Sequence, residues 1–431
     1  MIAAKIEVPQ ISRELRGWVM WLFAFLVVGF HILLPIGNAL PTVHFGAVPV
    51  HMQMLVYPFF FIPALNLCKN NPSFRRGLRL LALLLFIQTL SLCFSSDLLV
   101  NGYAVFYNFW GLIGTYLVAS YIVSVVKPKV FVNAILIAFV LAAFVGIFER
   151  IFRTPMWPYQ VWYEDFVSRL GYNPFADDLL DIFRIQGTGG NPIIYAVVMM
   201  LGVAWAYEVT NKFLRWALIV LFVIAAMNTL SRTIILFLIP YSIFFAIRFF
   251  SKKPLRNLVL LAVVLLCLSP LLLLPIDKLK DLWYLRITID ESLGADSAIS
   301  IRQTIISNVW AELTNIWNLP YYFFGHGQGS GAIIARRALS TTDTLDNEYL
   351  ALLYENGLLG LCTFLLFWLS PFFQGVKKFK TNIHLWAIIG FLLAGCSFEI
   401  IKYTNINFLI FCSLAWIQLK APSLKSTEFP A

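Results

Sequence analysis

The sequence predicts an all-α integral membrane protein with about twelve transmembrane helices. Of its 431 residues, 60% are hydrophobic and only 13% are charged, whereas a soluble domain has about 25% charged residues. Apolar stretches of about 20 residues, the length needed to cross a bilayer, recur along the whole chain. Lysine and arginine are concentrated in every second connection between these stretches, as expected for loops on the cytoplasmic side.

The predicted spans follow one another with short connections, except at two long loops. The last two spans are short and closely linked, and the turn from Asn228 to Arg232 is tight, so the number is about twelve. The spans are 18–36, 46–67, 77–95, 103–126, 130–149, 190–209, 213–230, 232–250, 257–275, 349–373, 383–400 and 403–419.

The basic residues fix the expected topology. With the N-terminus inside, the predicted outer loops 37–45 and 96–102 hold no lysine or arginine, and two other outer connections hold only Arg232 and Lys402. Both termini are therefore expected to be cytoplasmic. The net charge of +10 then reflects membrane topology, and no nucleic-acid partner is expected.

Five regions follow from this map. They are N-terminal spans (1–150), a first outer loop (151–189), central spans (190–275), a larger outer loop (276–348), and C-terminal spans with a cytoplasmic tail (349–431). The first span lacks a convincing cleavage site and is expected to remain as a helix.

Cysteine and histidine patterns predict neither a disulfide nor a metal site. The six cysteines lie in or at the edge of apolar stretches without CxxC spacing, which is typical of small buried apolar residues. The five histidines form no ligand pair. No cofactor is expected.

The larger outer loop contains a predicted amphipathic helix at 299–317. We expect this helix to lie in the outer membrane interface. Arg302 lies on the row of the helix next to its apolar row. Its guanidinium would therefore meet a phosphate, either of a substrate or of a lipid head group. The apolar row consists of Ile301, Ile305, Val309, Leu313, Ile316 and Trp317.

A glycine-rich segment, Arg184-Ile-Gln-Gly-Thr-Gly-Gly-Asn-Pro192, precedes the sixth span. Asn191 is expected to cap the helix and Pro192 to take its first position. A glycine-rich turn that leads into a helix N-terminus is a generic anion site, and Arg184 would add charge-assisted hydrogen bonds to a phosphate. The alternative is a flexible loop before a well-capped helix.

Arg232 lies between two apolar spans, on the side that otherwise avoids lysine and arginine. Ionisable residues at membrane depth are costly and usually functional. The alternative is that Arg232 extends to the outer head groups.

Asp346 follows a glycine-rich stretch, Gly325-His-Gly-Gln-Gly-Ser-Gly331, whose glycines permit tight turns or close backbone approach. Asp346 is expected either to cap the tenth span or to act as a general base that accepts a proton from an attacking hydroxyl. Asp343 and Glu348 are nearby competitors for that role.

Three arginines and one carboxylate at the outer leaflet suit an anionic, lipid-linked donor and a hydroxyl acceptor. Arginine binds pyrophosphate through two parallel hydrogen bonds. The outer segments hold no DxD-like motif, so the reaction is expected to be metal-free.

In this pattern, residues 180–420 resemble the O-antigen ligase/polymerase superfamily of membrane glycosyltransferases. The resemblance implies a GT-C-like, all-helical enzyme of the bacterial inner membrane that takes an undecaprenyl-diphosphate-linked glycan on the periplasmic side. It places Arg184, Arg232 and Arg302 at positions that bind the diphosphate, with Asp346 as the base. Supporting positions are Asn347, Tyr349, Gly325 and Gly327. The matching motifs are Arg184…Gly187…Asn191-Pro192, Leu230-Ser231-Arg232, Arg302 with Trp310, Gly325-His-Gly-Gln-Gly, and Asp346-Asn-Glu-Tyr-Leu-Ala-Leu-Leu-Tyr-Glu-Asn-Gly-Leu-Leu-Gly360.

One departure favours a polymerase. The ligase branch has His-Asn where this chain has Asp346-Asn347, and Asp is more similar to the polymerases of O-antigen, capsule or exopolysaccharide. His326 lies elsewhere and is expected to be structural. Membrane lipids, a chain-length regulator and a flippase would then be partners.

Two alternatives remain. The first is an O-antigen ligase that uses a lipid A core acceptor. The second is a transporter of lipid-linked oligosaccharides, a class in which repeats and discontinuous polar helices are frequent. No repeat is visible here, and Glu399, taken as the only notable carboxylate within a span, is explained by an i,i+3 salt bridge to Lys402.

Overall fold

The described part of the chain is a bundle of α-helices with two short β-hairpins, which confirms the predicted helical class. The computed structural model describes residues 13–33, 43–45, 48–50, 52–154, 176–177, 182–183, 185, 187–189, 191–229, 231–250, 298–315, 319–338, 345, 347–372, 381–399 and 401–420.

The helices are numbered here in chain order. They are α1 Arg13–Leu33, α2 Met52–Val56, α3 Pro58–Asn70, α4 Pro72–Ser91, α5 Leu98–Asn108, α6 Thr115–Val125, α7 Pro128–Phe152, α8 Pro192–Ala206, α9 Lys212–Met227, α10 Thr233–Phe250, α11 Ala298–Asn315, α12 Leu319–Phe324, α13 Gly331–Ala338, α14 Glu348–Leu369, α15 Ile383–Ala394 and α16 Thr404–Lys420.

Short elements complete the description. A 3₁₀ turn at Leu92–Phe94 follows α4, and a π-helical segment at Phe109–Gly114 joins α5 to α6. The strands pair antiparallel, β1 Val43–Phe45 with β2 Val48–Val50 and β3 Ala176–Asp177 with β4 Ile182–Phe183.

Within the described residues, four helical stretches are long and apolar enough to cross a bilayer: Pro72–Phe94, Leu98–Val125, Pro128–Phe152 and Glu348–Leu369. Every predicted span except 257–275 contains a helix, and that stretch lies outside the described residues. Five apolar helices are shorter: Trp18–Leu33, Pro192–Ala206, Thr233–Arg248, Ile383–Ala394 and Thr404–Leu419.

The predicted start of the second span at residue 46 is wrong. Val43–Phe45 and Val48–Val50 pair as strands β1 and β2, and helix begins only at Met52, with Tyr57 as a break before Pro58. The stretch Val48-Pro49-Val50 is apolar, but valine favours strands and proline lacks the N–H that a helix interior needs. Apolar composition alone did not distinguish the two structures.

Asparagine caps start many of the helices. In each case the side-chain oxygen accepts a hydrogen bond from a backbone N–H of the first turn, which otherwise has no partner inside the helix. The predicted cap at Asn191, followed by Pro192, is confirmed by a 2.8 Å bond from the N–H of Ile193. The capping residues are Asn71, Asn191, Asn211, Asn347 and Asn382.

The centre of the bundle is formed by α8 and α16. Every residue of α8 except Ile193 is buried, and residues 404–418 of α16 are buried throughout. A helix that is apolar on all sides is stable only when other helices surround it. The neighbouring helices α1, α6, α7, α10 and α15 pack around this pair.

Three segments named by the sequence lie at one end of the bundle. The tight turn after α9 returns the chain into α10, and α8 runs antiparallel to α9. Residues 187–189 and 191 therefore lie at the same end as residues 228–229 and 231–232. Helix α10 runs antiparallel to α15, because Phe237 contacts Gly390 and the rings of Phe244 and Trp386 adjoin. The C-terminal end of α15 contacts the start of α14. We call this end, with residues 347–349 and 395–403, the site end.

Helix α14 is broken at Gly357, where φ is 65° and ψ is −171°. A Cβ atom there would overlap the carbonyl of Phe323 and lie 2.6 Å from the Phe324 nitrogen. The left-handed φ and the close approach both require glycine. The break coincides with two hydrogen bonds from the loop after α12: the N–H groups of His326 and Gly327 donate to the carbonyls of Tyr354 and Glu355, at 2.9 and 3.0 Å.

We expect Gly357→Ala to lower the free energy of unfolding by on the order of 2 kcal/mol, since alanine is strained at positive φ. Thermal unfolding of the purified protein in detergent, followed by tryptophan fluorescence, measures the loss. Gly102→Ala is the matched control: no atom lies within 4 Å of a Cβ at that position, and alanine favours the α5 helix by up to about 1 kcal/mol. Equal unfolding temperatures for the two variants would contradict the requirement for glycine.

Candidate active site at the site end

Of the three predicted arginines and the predicted base, the structure describes the side chain of Arg232 alone. Arg184 and Asp346 lie outside the described residues. Arg302 belongs to α11, where only its backbone is described. Arg232 is partly exposed in the turn between α9 and α10, and Thr229 in the same turn accepts the N–H of Ser231 at 3.1 Å.

The glycine-rich turn before α8 binds a carboxylate from the same protein, that of Glu149. Its N–H group at Gly187 donates to the carboxylate of Glu149, at 2.7 Å, and Glu149 is completely buried. Gly187 has a φ of 50°, and a Cβ there would overlap the ring of Tyr195. The turn is therefore packed against the bundle, and at Gly187 the backbone donor is used internally.

The predicted amphipathic helix is present as α11, but its apolar row faces protein. Ile305, Val309 and Leu313 are buried against a small cluster around α13 and α14. Periodicity therefore identified the buried face of the helix without showing what covers it, and the position of α11 in the outer membrane interface stays a prediction. The exposed face instead carries Ile306 and Trp310.

The residues on both sides of position 346 are held by the loop 395–401. The N–H of Leu345 donates to the carboxylate of Glu399. The N–H of Glu348 donates to the carbonyl of Gly395 at 2.8 Å, and the Glu348 carboxylate accepts the N–H of Ile401 at 3.0 Å. Position 346 is thus flanked by two anchored neighbours.

Asn347 fills the capping role that was one expectation for Asp346. Its side-chain oxygen accepts the N–H of Leu350 at 3.0 Å, and its amide donates to the carbonyl of Cys396 at 3.1 Å. Tyr349, the second supporting residue, donates its hydroxyl to the carbonyl of Leu392. With the cap supplied by Asn347, helix α14 does not need Asp346 for that purpose.

Gly325 and Gly327 allow the loop after α12 to approach the broken helix. Both have positive φ, 76° and 99°. A Cβ on Gly325 would overlap the backbone of Glu355, and one on Gly327 would lie 2.8 Å from the amide nitrogen of Asn101. We call residues 325–331 the glycine loop.

His326 occupies a structural position in the glycine loop. Its ring stacks on Tyr354, with 4.3 Å between the ring centroids, and lies beside Tyr321 at 4.9 Å. Its Nδ1 lies 3.2 Å from the carbonyl of Tyr354, which makes Nδ1 the donor. Burial lowers the pKa of His326, and the hydrogen bond to Tyr354 and the charge of Glu312 only partly offset this effect. The ring is therefore neutral near pH 7.

A group of buried charges was missed by the sequence. Glu355 lies within a predicted span and is 2% exposed; its two oxygens accept hydrogen bonds from the Gln328 side chain at 2.7 Å and the Gly331 N–H at 3.1 Å. Glu348 is 6% exposed. The reading of Glu399 as the only notable carboxylate in a span is wrong. The sequence feature that could have revealed this buried charge is Glu355-Asn356-Gly357, whose polar residues interrupt an apolar stretch.

The salt bridge between Glu399 and Lys402 is confirmed. Glu399 is buried, whereas about a third of the Lys402 side chain is exposed, 35%. Burial lowers the pKa of Lys402, but the carboxylates of Glu399 and Glu355 outweigh that effect, so the pKa is raised overall. Lys402 is therefore positively charged near pH 7.

Glu348, Glu355, Glu399 and Lys402 line a common cavity of about 20 Å³, together with uncharged residues of α4 and α5. The described residues contain no cluster of three His, Cys, Asp or Glu side chains that would hold a metal ion.

A comparison with protein-family models and one with curated proteins each found no match.

We expect Lys402→Met to destabilise the protein by on the order of 2 kcal/mol, because it leaves Glu399 buried without its cation. The double variant Glu399→Gln with Lys402→Met should recover part of this loss, since glutamine is uncharged and its side-chain oxygen still accepts the N–H of Leu345. Thermal unfolding of the four proteins in the cycle measures the coupling. Additive effects of the two substitutions would show that the ion pair contributes nothing.

Proposed function

We propose that the protein is a polysaccharide polymerase. It transfers a growing glycan from undecaprenyl diphosphate to the terminal sugar hydroxyl of a lipid-linked repeat unit, without a metal ion. The observation that supports the proposal is the arrangement of the site end, where residues 187–189, 191, 228–229, 231–232 and 347–349 lie at the same end of the bundle. The protein would be a multi-pass protein of the bacterial inner membrane with about twelve spans, both termini cytoplasmic and this end towards the periplasm.

Asp346 is the proposed base. It accepts the proton of the acceptor hydroxyl while the oxygen attacks the anomeric carbon, and the bond from that carbon to the diphosphate breaks. The negative charge that develops on the leaving undecaprenyl diphosphate is neutralised by Arg184, Arg232 and Arg302. Stabilisation of developing charge by fixed cations is where the electrostatic contribution to catalysis is largest.

The anchoring of residues 345 and 348 supports this role for Asp346. A general base must be held within hydrogen-bonding reach of the proton that it accepts. Here both neighbours of the Asp346-Asn347 pair are hydrogen-bonded to the loop 395–401. Asn347 supplies the cap of α14, so the proposal does not require Asp346 for that purpose.

We expect Asp346→Ala and Arg302→Ala each to abolish long polysaccharide chains in a strain that depends on this protein. Loss of a general base costs about 10²- to 10⁴-fold in rate. The readout is the ladder of polysaccharide lengths on a gel, at protein levels matched by immunoblot. Asp343→Ala, which removes a carboxylate three residues upstream, is the control and should keep the ladder. Full ladders in both the Asp346 and Arg302 variants would exclude the assignment.

Deletion of the gene separates the polymerase from the ligase. Without a polymerase, lipid A core carries a single repeat unit, because the ligase still acts. Without a ligase, the core stays bare and lipid-linked polymer accumulates. We expect the first pattern, and the second would exclude polymerisation.

Transport of lipid-linked oligosaccharides is the second candidate, and one observation favours it. Helix α14 is discontinuous at Gly357 and carries the buried carboxylates Glu348 and Glu355, a combination frequent in transporters. Purified protein in liposomes, supplied with one defined lipid-linked repeat unit and no flippase, distinguishes the two functions. Polymer formation supports the polymerase, and movement of the unit across the bilayer without polymer supports the transporter.

A further inference from the structure

The cavity at the site end has more negative than positive charge. Its described lining includes the carboxyl groups of Glu348, Glu355 and Glu399 and one ammonium group, that of Lys402. The Lys402 ammonium pairs with Glu399. Burying an unbalanced carboxylate is costly unless a cation or a proton neutralises it.

The hydrogen bonds around the carboxylates favour their ionised form. Both oxygens of Glu355 accept hydrogen bonds, from Gln328 and from the Gly331 N–H. Glu348 accepts the N–H of Ile401. Donors directed at a carboxylate stabilise its charge, while burial opposes that charge. A bound cation neutralises the buried charge while the hydrogen bonds to the carboxylates are kept.

A further acceptor in the cavity lacks a donor. Gln88 of α4 lines the cavity and is 1% exposed, and among the described residues its side-chain oxygen accepts no hydrogen bond. Buried polar atoms are almost always satisfied. This acceptor provides a second observation, independent of the charge imbalance, that a donor or cation belongs in the cavity.

The size of the cavity limits what it holds. A volume of about 20 Å³ has room for roughly one water-sized particle. A sugar, a phosphate or a hydrated divalent ion is too large.

We propose that this cavity binds one monovalent cation, either Na⁺ or a proton, between Glu348, Glu355 and the side-chain oxygen of Gln88. The described lining includes none of the arginines assigned to the diphosphate, and the proposal does not depend on glycosyl transfer. It gives the broken helix α14 a ligand that stabilises the folded state.

Unfolding of the full-length protein in detergent tests the proposal. Melting temperatures are compared in NaCl and in choline chloride at equal ionic strength, from pH 6 to pH 9. A ligand that binds only the folded state raises Tm, so bound Na⁺ should raise Tm by at least about 2 °C over choline. If a proton is bound instead, the folded state holds more protons than the unfolded state, and Tm falls as pH rises without a Na⁺ effect.

Among the described residues, few other ionisable groups lie near the cavity. The loop after α15 contributes Glu399 and Lys402, the glycine loop contains the neutral His326, and Glu312 of α11 accepts the hydroxyl of Tyr354. Helices α4 and α5 add no ionisable residue to the described lining. A cation effect that belongs to the cavity must therefore depend on the carboxylates of α14.

Glu355→Gln and Glu348→Gln should each abolish the cation effect, because glutamine removes the charge and keeps the size. Asp97→Asn is the matched control. Asp97 is an exposed helix cap whose oxygen accepts the N–H of Val100, so asparagine removes one charge and keeps the cap. The same Na⁺ or pH response in wild type and in both glutamine variants would overturn the proposal, as would the absence of any response in wild type.

An infrared measurement on wild-type protein decides the question if the glutamine variants do not fold. A bound proton gives a carboxylic-acid C=O band at pH 7 that persists in Na⁺, and bound Na⁺ gives no such band together with a higher Tm in NaCl. Absence of both the band and the Na⁺ effect would overturn the proposal.

Discussion

The pairing of the glycine loop with the broken helix α14 is the constraint on which the site end depends. Buried backbone groups must find hydrogen-bond partners, because an unpaired buried N–H or C=O group is costly. Helix α14 breaks at Gly357, and the N–H groups of His326 and Gly327 bond to its carbonyls. Gln328 and Gly331 then reach the carboxylate of Glu355. The backbone pairing and the buried charge therefore form one unit.

This unit connects segments that are distant in the chain. The same first turns of α14 are fixed to the loop 395–401 through Glu348 and Asn347. Two loops thus hold one helix, one at its start and one at its break. Such an arrangement holds the start of α14 at two places, which suits a site built on supported elements.

Local features were predictable from the sequence, and features that depend on distant partners were not. The cap at Asn191 followed from an asparagine before a proline, since the interaction lies within one turn. The salt bridge of Glu399 with Lys402 followed from its i,i+3 spacing. Asp346 was expected to be either the cap of this helix or a general base, and Asn347, one residue later, is the cap. Which residue acts as the cap depends on where the preceding loop ends and the helix begins.

Buried charge was the largest omission of the sequence-based prediction. Glu355 lies in an apolar stretch, and its partners Gln328 and Gly331 are far away along the chain, so no spacing rule reveals them. The apolar row of α11 was identified correctly, yet the surface that covers it was not. Hydrophobic periodicity reports the orientation of a helix and contains no information about its neighbour.

The turn at Gly187 shows how a binding motif can be occupied by the protein itself. Its glycines and the following helix start have the composition of a phosphate cradle, yet the N–H of Gly187 is bonded to Glu149 of α7. An incoming anion at that position would compete with a covalently tethered carboxylate, which is always present at high effective concentration. The motif then links α7 to the start of α8. Selectivity for an external anion would depend on the side chains around the turn.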